Sequence, residues 1–204
     1  MANGDPMPLC GVIRDDWRLN YVQSMNRSRN GGEIINALGE PYWTRQIEVA
    51  FGGATGDADF AAWEAFLIAR QGRRFSFTAP RIFRRNPQAG VTDDSGLGVA
   101  SIDRAVSTIT LSGAGTRSAT AGDMLSFYTA NSGYWCGMAT ADANPSGGSI
   151  TIPVQPAPFP PHASTAQPRR TNALGEFRLA EDFQLTDAHR RKSITLTAVQ
   201  VIRG

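Results

Sequence analysis

Few side chains in this sequence could do chemistry, and their spacing suits little of it. Only two histidines occur, His162 and His189. Nucleophilic catalysis needs an imidazole held between a hydroxyl and a carboxylate. His162 instead follows Pro160-Pro161, His189 precedes Arg190-Arg191, and no Gly-x-Ser-x-Gly elbow accompanies either. Neither Cys10 nor Cys136 has a second Cys or His at metal-ligand spacing. They could form one disulfide, but the absence of a short-spaced framework favours two buried free thiols. Asp93-Asp94 and Asp182 lack the series of oxygen ligands of a calcium loop. Gly96-Leu-Gly-Val-Ala-Ser meets two positions of the dinucleotide fingerprint and leads into strands, not a helix, so it reads as a turn. Paired carboxylates for glycoside hydrolysis depend on a separation in space that the sequence does not give. No catalytic residue, cofactor or metal ligand is assigned.

Binding chemistry has more candidates, each with a structural reading beside it. Tyr134 and Trp135 could stack on a sugar ring, or they could fill a barrel core. Phe60, Trp63 and Leu67 recur at i, i+3 and i+7, a stripe that faces a core far more often than a ligand. Arg81, Arg84 and Arg85 are the one concentrated charge of their loop, with Phe83 the only aromatic among them. A solvated or interface-paired cluster suits them better than nucleic-acid contact. Pro156 to Pro161 is dense enough for polyproline docking, although a stiff strut leaving a domain is the simpler account. Asn26-Arg27-Ser28 matches a glycosylation sequon by chance if no signal peptide exists.

Composition narrows the classes. The 204 residues can bury one substantial core or two small ones, and an apolar share of 41% with 21 Gly and 12 Pro suits a loop-rich, mainly β protein. A formal net charge of +2 implies no strong polyanion affinity for the chain as a whole. Its cations are arginines except for Lys192. Arginine suits fixed, bidentate contacts across interfaces, although a GC-rich coding sequence would give the same bias. Residues 1–10 lack the basic and apolar regions of a secretory signal, and no apolar run is long enough to span a bilayer. Synthesis in a cytoplasm without membrane insertion is expected.

These residues must be positioned by mostly short strands. Residues 1–16 have little periodicity and read as an arm or loop, whereas Trp17, Leu19 and Tyr21 alternate with polar neighbours as a half-buried strand. Met25 to Gly32 reads as a solvated loop. Ile47, Val49 and Phe51 share one face of a strand that Gly52-Gly53 ends. A helix follows, capped by Asp57 or Asp59 and closed by Gly72 at C′, with Phe66 widening its stripe and Asp59, Glu64 and Arg70 outside it. Arg73 to Thr78 returns as a strand with Phe75 and Phe77 on one face. Val99–Ile102, Thr108–Leu111, Met124–Tyr128, Tyr134–Met138 and Ile150–Val154 then form short strands, and Pro153 to Pro168 leaves their sheet. Two final strands, at Phe177 to Leu179 and from Ile194 onward, cannot stand alone and must pair with the first block. The middle is thus an insertion. Phe51, Phe60, Trp63, Leu67, Phe75 and Phe77 should share a core with Leu179, Ile194 and Leu196, to which the insertion contributes little.

In order along the chain stand Ala62-Trp-Glu-Ala-Phe-Leu, Arg70-Gln-Gly-Arg-Arg-Phe-Ser-Phe, Ala121-Gly-Asp-Met-Leu-Ser-Phe, Gly148-Ser-Ile-Thr-Ile-Pro-Val-Gln-Pro and Glu176-Phe-Arg-Leu. Their succession resembles the distal tail proteins of long-tailed bacteriophages and gene-transfer particles. The resemblance implies a mainly β fold: a tail-tube-like β-sandwich with one flanking α-helix, built from residues 1–80 and 169–204. It is interrupted by a small inserted OB-like β-barrel at 81–168 that ends in the proline-rich linker. It implies further that the protein is a non-enzymatic structural component of the virion tail tip. A homo-oligomeric ring, as a hexamer, would meet the tail tube protein on one side and hub or baseplate proteins on the other. DNA would pass through its lumen without specific binding. The other reading is an adhesin module whose insert binds a host-surface glycan through Tyr134 or Trp135.

Overall fold

The computed structural model describes residues 4–27, 33–52, 55–88, 90, 93–129, 133–158, 167–183, 185, 186 and 193–201. The fold is mainly β with one helix. Its elements are β1 (Asp5–Pro6), β2 (Val12–Asn20), β3 (Gln23–Arg27), β4 (Glu33–Ala37), β5 (Tyr42–Ala50), α1 (Gly56–Arg70) and β6 (Phe77–Pro80). They continue with β7 (Gly98–Asp103), β8 (Thr108–Ser112), β9 (Met124–Thr129), β10 (Gly133–Ala139), β11 (Ser149–Gln155), β12 (Pro168–Arg169), β13 (Leu174–Leu179) and β14 (Ser193–Gln200).

One six-stranded sheet draws on both ends of the chain, in the order β1-β6-β13-β14-β5-β2. Period-two patterning explains its centre. On β5 the buried set is Trp43, Arg45, Ile47 and Val49, and on β14 it is Ile194, Leu196, Ala198 and Gln200. The two strands run antiparallel with Leu196 opposite Ile47 and Ile194 opposite Val49, so the apolar positions share a face. Helix α1 lays Phe60, Trp63, Phe66 and Leu67 into the same core as Phe77, Phe177 and Leu179. Edge-to-face contacts run through it from Trp63 to Phe66 (5.6 Å) and from Phe66 to Phe77 (5.3 Å).

The second six-stranded sheet comes from the middle of the chain, in the order β12-β9-β10-β11-β8-β7. Its core includes Val99, Ile109, Leu111, Leu125, Phe127 and Ile152. Among the described residues no ladder joins β7 to β12, so the sheet is open at those edges. The sheets meet along a seam where Met124, Cys136 and Ala173 pack with Trp17 and Met138. The indole N–H of Trp43 and the amide of Gln200 both donate to the Cys136 carbonyl, at 3.2 and 3.4 Å. Backbone N–H groups cross the seam in both directions, from Leu174 to Ser126 Oγ (2.8 Å) and from Tyr134 to Glu176 Oε2 (3.4 Å). Gly175 lies on this seam, where an added Cβ would stand 2.6 Å from the Phe177 ring. The middle of the chain therefore covers part of the first core: Met138 packs against it.

Several sequence expectations change. Residues 4–16 are not an arm: β1 pairs in parallel with β6, and β2 begins at Val12; residues 1–3 lie outside the described residues. Met25 to Arg27 is strand, paired with β4 in a two-stranded hairpin. Residue Thr55, not Asp57 or Asp59, is the helix N-cap; the two acids lie in the first turn, where they complement the helix dipole. Gln71 makes the left-handed turn first, at φ 48°, and Gly72 follows at φ 66°. Arg70 is inside the stripe, because it stands seven residues after Trp63. Phe75 is outside the core: the strand starts only at Phe77, and half-buried Phe75 carries the Arg74 guanidinium 5.1 Å over its ring. Pro153 stays within β11, opposite Thr108.

Candidate functional site

Among the described residues, those with catalytic potential do not converge. His162 and His189 lie outside the described residues. Among the described residues, no three His, Cys, Asp or Glu side chains are placed to hold a metal ion. Asp93 is committed to its own turn, accepting from the Ser95 N–H and hydroxyl at 2.8 Å; these bonds, followed by Arg117, hold its carboxyl below the ordinary range. Asp94 accepts from the backbone N–H groups of Arg170 and Thr171.

Both thiols are free, but only one is wholly buried. Burial pushes the Cys136 thiol up to about 12 against the partial opposition of Arg45 and Arg81. Half-buried Cys10 is raised by desolvation and then by Asp59. An alkylating agent needs the thiolate. A rise from 9.0 to about 12 leaves roughly 1,000-fold less thiolate than in an ordinary cysteine. Iodoacetamide at neutral pH is therefore expected to spare Cys136 until denaturant is added, as read by peptide mass spectrometry. Labelling of Cys136 at the rate of a free thiol in the native state would mean that the seam opens. Because the folded thiol is raised, its contribution to stability is full below about pH 9 and is lost as pH rises toward 12.

The candidate glycan platform is only half present. Trp135 is 2% exposed and packs 4.9 Å from Phe127 inside the second core, so it cannot serve as a stacking surface. Its period-two phase with Leu125 and Phe127 across the ladder puts it there. Tyr134 points to the other face, 5.1 Å from exposed Tyr128. The arginine loop also divides: Arg84 and Arg85 are exposed, whereas Arg81 is half-buried with Nη1 enclosed.

Sequence reasoning missed two features. The first is a set of buried arginines. Arg45 is fully enclosed, bonded through Nε to Asp15 at 2.6 Å and flanked by the Trp17 and Phe177 rings at 5.2 and 5.7 Å. Arg70 donates to the Ser76 carbonyl (2.6 Å) and to Asp5 (2.7 Å), tying the helix to β1. Arg170 donates to the Ser118 carbonyl with Asp123 at 3.9 Å. For Arg45 and Arg70 the signal was phase: each continues the buried period of its element.

The second feature is a surface. Half of the twelve exposed large hydrophobics among the described residues fall between 21 and 38: Tyr21, Val22, Met25, Ile34, Ile35 and Leu38. They sit on and beside the β3–β4 hairpin, which is paired with no other strand among the described residues. Met25 lies opposite Ile35, and an Arg27–Glu33 ion pair at 3.1 Å braces the outer end. Two-stranded hairpins are marginal alone in water, and apolar patches of this kind mark interaction surfaces. Next to the hairpin, β2 forms one edge of the first sheet. A cleft of about 530 Å³ opens elsewhere at the end of α1, lined by apolar Leu67, exposed Ile68, Phe183 and Leu185 and by Glu64, Gln71, Gly72 and Asp182. Compared with known proteins, the chain matches no family model and no curated sequence.

Proposed function

We propose that this protein is a structural component of a phage tail tip, a homo-oligomeric ring, hexameric in the particle, that joins the tail tube to the hub or baseplate. DNA passes through its lumen without specific contacts. The observation that carries an assembly role is the apolar hairpin, unpartnered among the described residues, beside an open sheet edge. A closed ring needs two different complementary patches on every subunit. The hairpin supplies one, and the cleft at the end of α1, where Leu67, Ile68, Phe183 and Leu185 lie among Glu64, Gln71 and Asp182, supplies the other in the neighbouring copy. The resemblance of the ordered motifs to distal tail proteins supplies the particle in which this assembly takes place.

Reconstruction of the particle tests the reading: six copies in a ring support it, and a single copy or a three-fold ring counts against it. At the level of residues, Met25→Thr with Ile35→Thr should abolish ring formation while leaving the melting temperature of the subunit within a few degrees, because both side chains are already in water and a cross-strand threonine pair keeps the hairpin. Rings that persist in this variant would remove the hairpin from the interface. The adhesin reading now rests on the Tyr128–Tyr134 pair alone. Binding of the isolated protein on a glycan array, lost in Tyr128→Ala, would favour it.

A further inference from the structure

Two recesses of opposite charge lie side by side at the end of α1. In the cleft there, Glu64 and Asp182 stand among Leu67, Ile68, Phe183 and Leu185, with no cation in the lining. A second recess, of about 490 Å³, holds Arg73 and Arg178 against Leu179, Val199 and Val201, with no acid in its lining. The two adjoin along the chain: Gly72 lines the first and Arg73 the second, while Ala180 lines the second and Asp182 the first. Exposed Glu181 lines neither. Arg74 is engaged elsewhere, donating to the Gln71 side chain at 3.1 Å and lying over the Phe75 ring. Among the described residues, none of Glu64, Asp182, Arg73 and Arg178 has an ion-pair partner.

Whatever covers these recesses takes water away from four charges set among apolar side chains. A charge enclosed without a partner costs far more than an enclosed pair, so the occupant must bring a cation to the first recess and an anion to the second. The β3–β4 hairpin carries that pattern at its outer end. Arg27 lies opposite Glu33, and Met25 lies opposite Ile35 one step inward. The two-residue period puts all four side chains on one face of the hairpin, and all four are exposed. An ion pair as open to water as Arg27–Glu33 holds its partners weakly, so both can turn to a neighbour's charges at little cost.

We propose that the hairpin of one copy docks on the α1 end of the next with a fixed polarity: Arg27 meets Glu64 and Asp182 in the first recess, Glu33 meets Arg73 and Arg178 in the second, and Met25 and Ile35 cover the apolar wall. The proposal rests on the assembly role of the hairpin and adds what selects the partner, a second copy of this chain in one orientation. Because the two patches differ, the contact is head-to-tail and can close a ring.

The test is sedimentation of the full chain over a range of concentrations. The unaltered chain should associate. Arg27→Glu with Glu33→Arg keeps the hairpin's own ion pair but reverses its polarity, and should weaken association by roughly tenfold or more, because like charges then meet across the contact. The reciprocal variant, with Glu64→Arg, Asp182→Arg, Arg73→Glu and Arg178→Glu, should fail in the same way. An equal mixture of the two should associate again, since each hairpin finds a matching end in the other variant. All six side chains are exposed, so both variants should melt near the unaltered chain. Association that survives the hairpin exchange while Met25→Thr with Ile35→Thr abolishes it would overturn the polarity and leave the hairpin interface standing. A mixture that stays apart would also overturn the polarity, and an unaltered chain that never associates would overturn both readings. Should either variant unfold, Arg27→Cys with Asp182→Cys in the otherwise unaltered chain decides: a disulfide joining position 27 of one copy to position 182 of the next supports the docking, and its absence under oxidation refutes it.

Discussion

Trp63→Ala is expected to lower folding stability by about 3–5 kcal/mol, the usual cost of truncating a large aromatic core residue. Trp63 is 0% exposed and lies in the middle of the buried face of α1. Its loss opens a cavity beneath the helix and removes the edge-to-face contact to Phe66. It also strips the part-buried Cys10 carbonyl of its donor, the indole N–H at 2.9 Å, which adds to the loss. Domains have only about 5–15 kcal/mol to lose, so the folded population and any assembly built on it should fall together. Trp63→Phe keeps most of the volume and should cost distinctly less. Urea titrations of the two variants check the assignment. An unchanged midpoint for Trp63→Ala would mean that α1 does not pack where its stripe places it.

That stripe and the alternation on β5 were legible because each element has one buried and one wet face, which imposes a period on the sequence. The same logic required the C-terminal strands to pair with the first block, and β13 and β14 do fill the centre of its sheet. The arginines broke the pattern only in appearance. Arg45 continues the Ile47–Val49 phase and Arg70 continues the Trp63–Leu67 phase, but polarity suggested solvent. Their burial depends on carboxylates far away in sequence, Asp15 and Asp5, which no local pattern reveals. The hairpin was illegible for the opposite reason. With neither face covered, Gln23 to Arg27 shows no alternation, so a strand there looks like loop. Phe75 misled because its i, i+2 spacing from Phe77 mimics one face of a strand, whereas the chain is still turning at that point and the strand that returns to the sheet starts at Phe77. For Trp135 the phase was informative, since it alternates with Tyr134 on a strand of which one face is core.

Asp15→Asn should cost about as much as the loss of Trp63, roughly 3–5 kcal/mol, although it changes only one atom, because breaking a buried ion pair from one side leaves the other charge uncompensated. The Asp15 and Arg45 side chains are both 0% exposed, and the Arg45 guanidinium lies against two aromatic rings. The asparagine oxygen can still accept from Trp17 or Ile82, so the loss reports on charge more than on hydrogen bonding. Adding Arg45→Met should then recover much of the stability, since a flexible apolar side chain fits between Trp17 and Phe177 and removes the stranded cation. The double-mutant cycle is the decisive measurement: a coupling of about 1–3 kcal/mol is expected for two groups in direct contact. Additive losses would mean that the Asp15–Arg45 bond, short as it is, does not hold the first sheet to the seam.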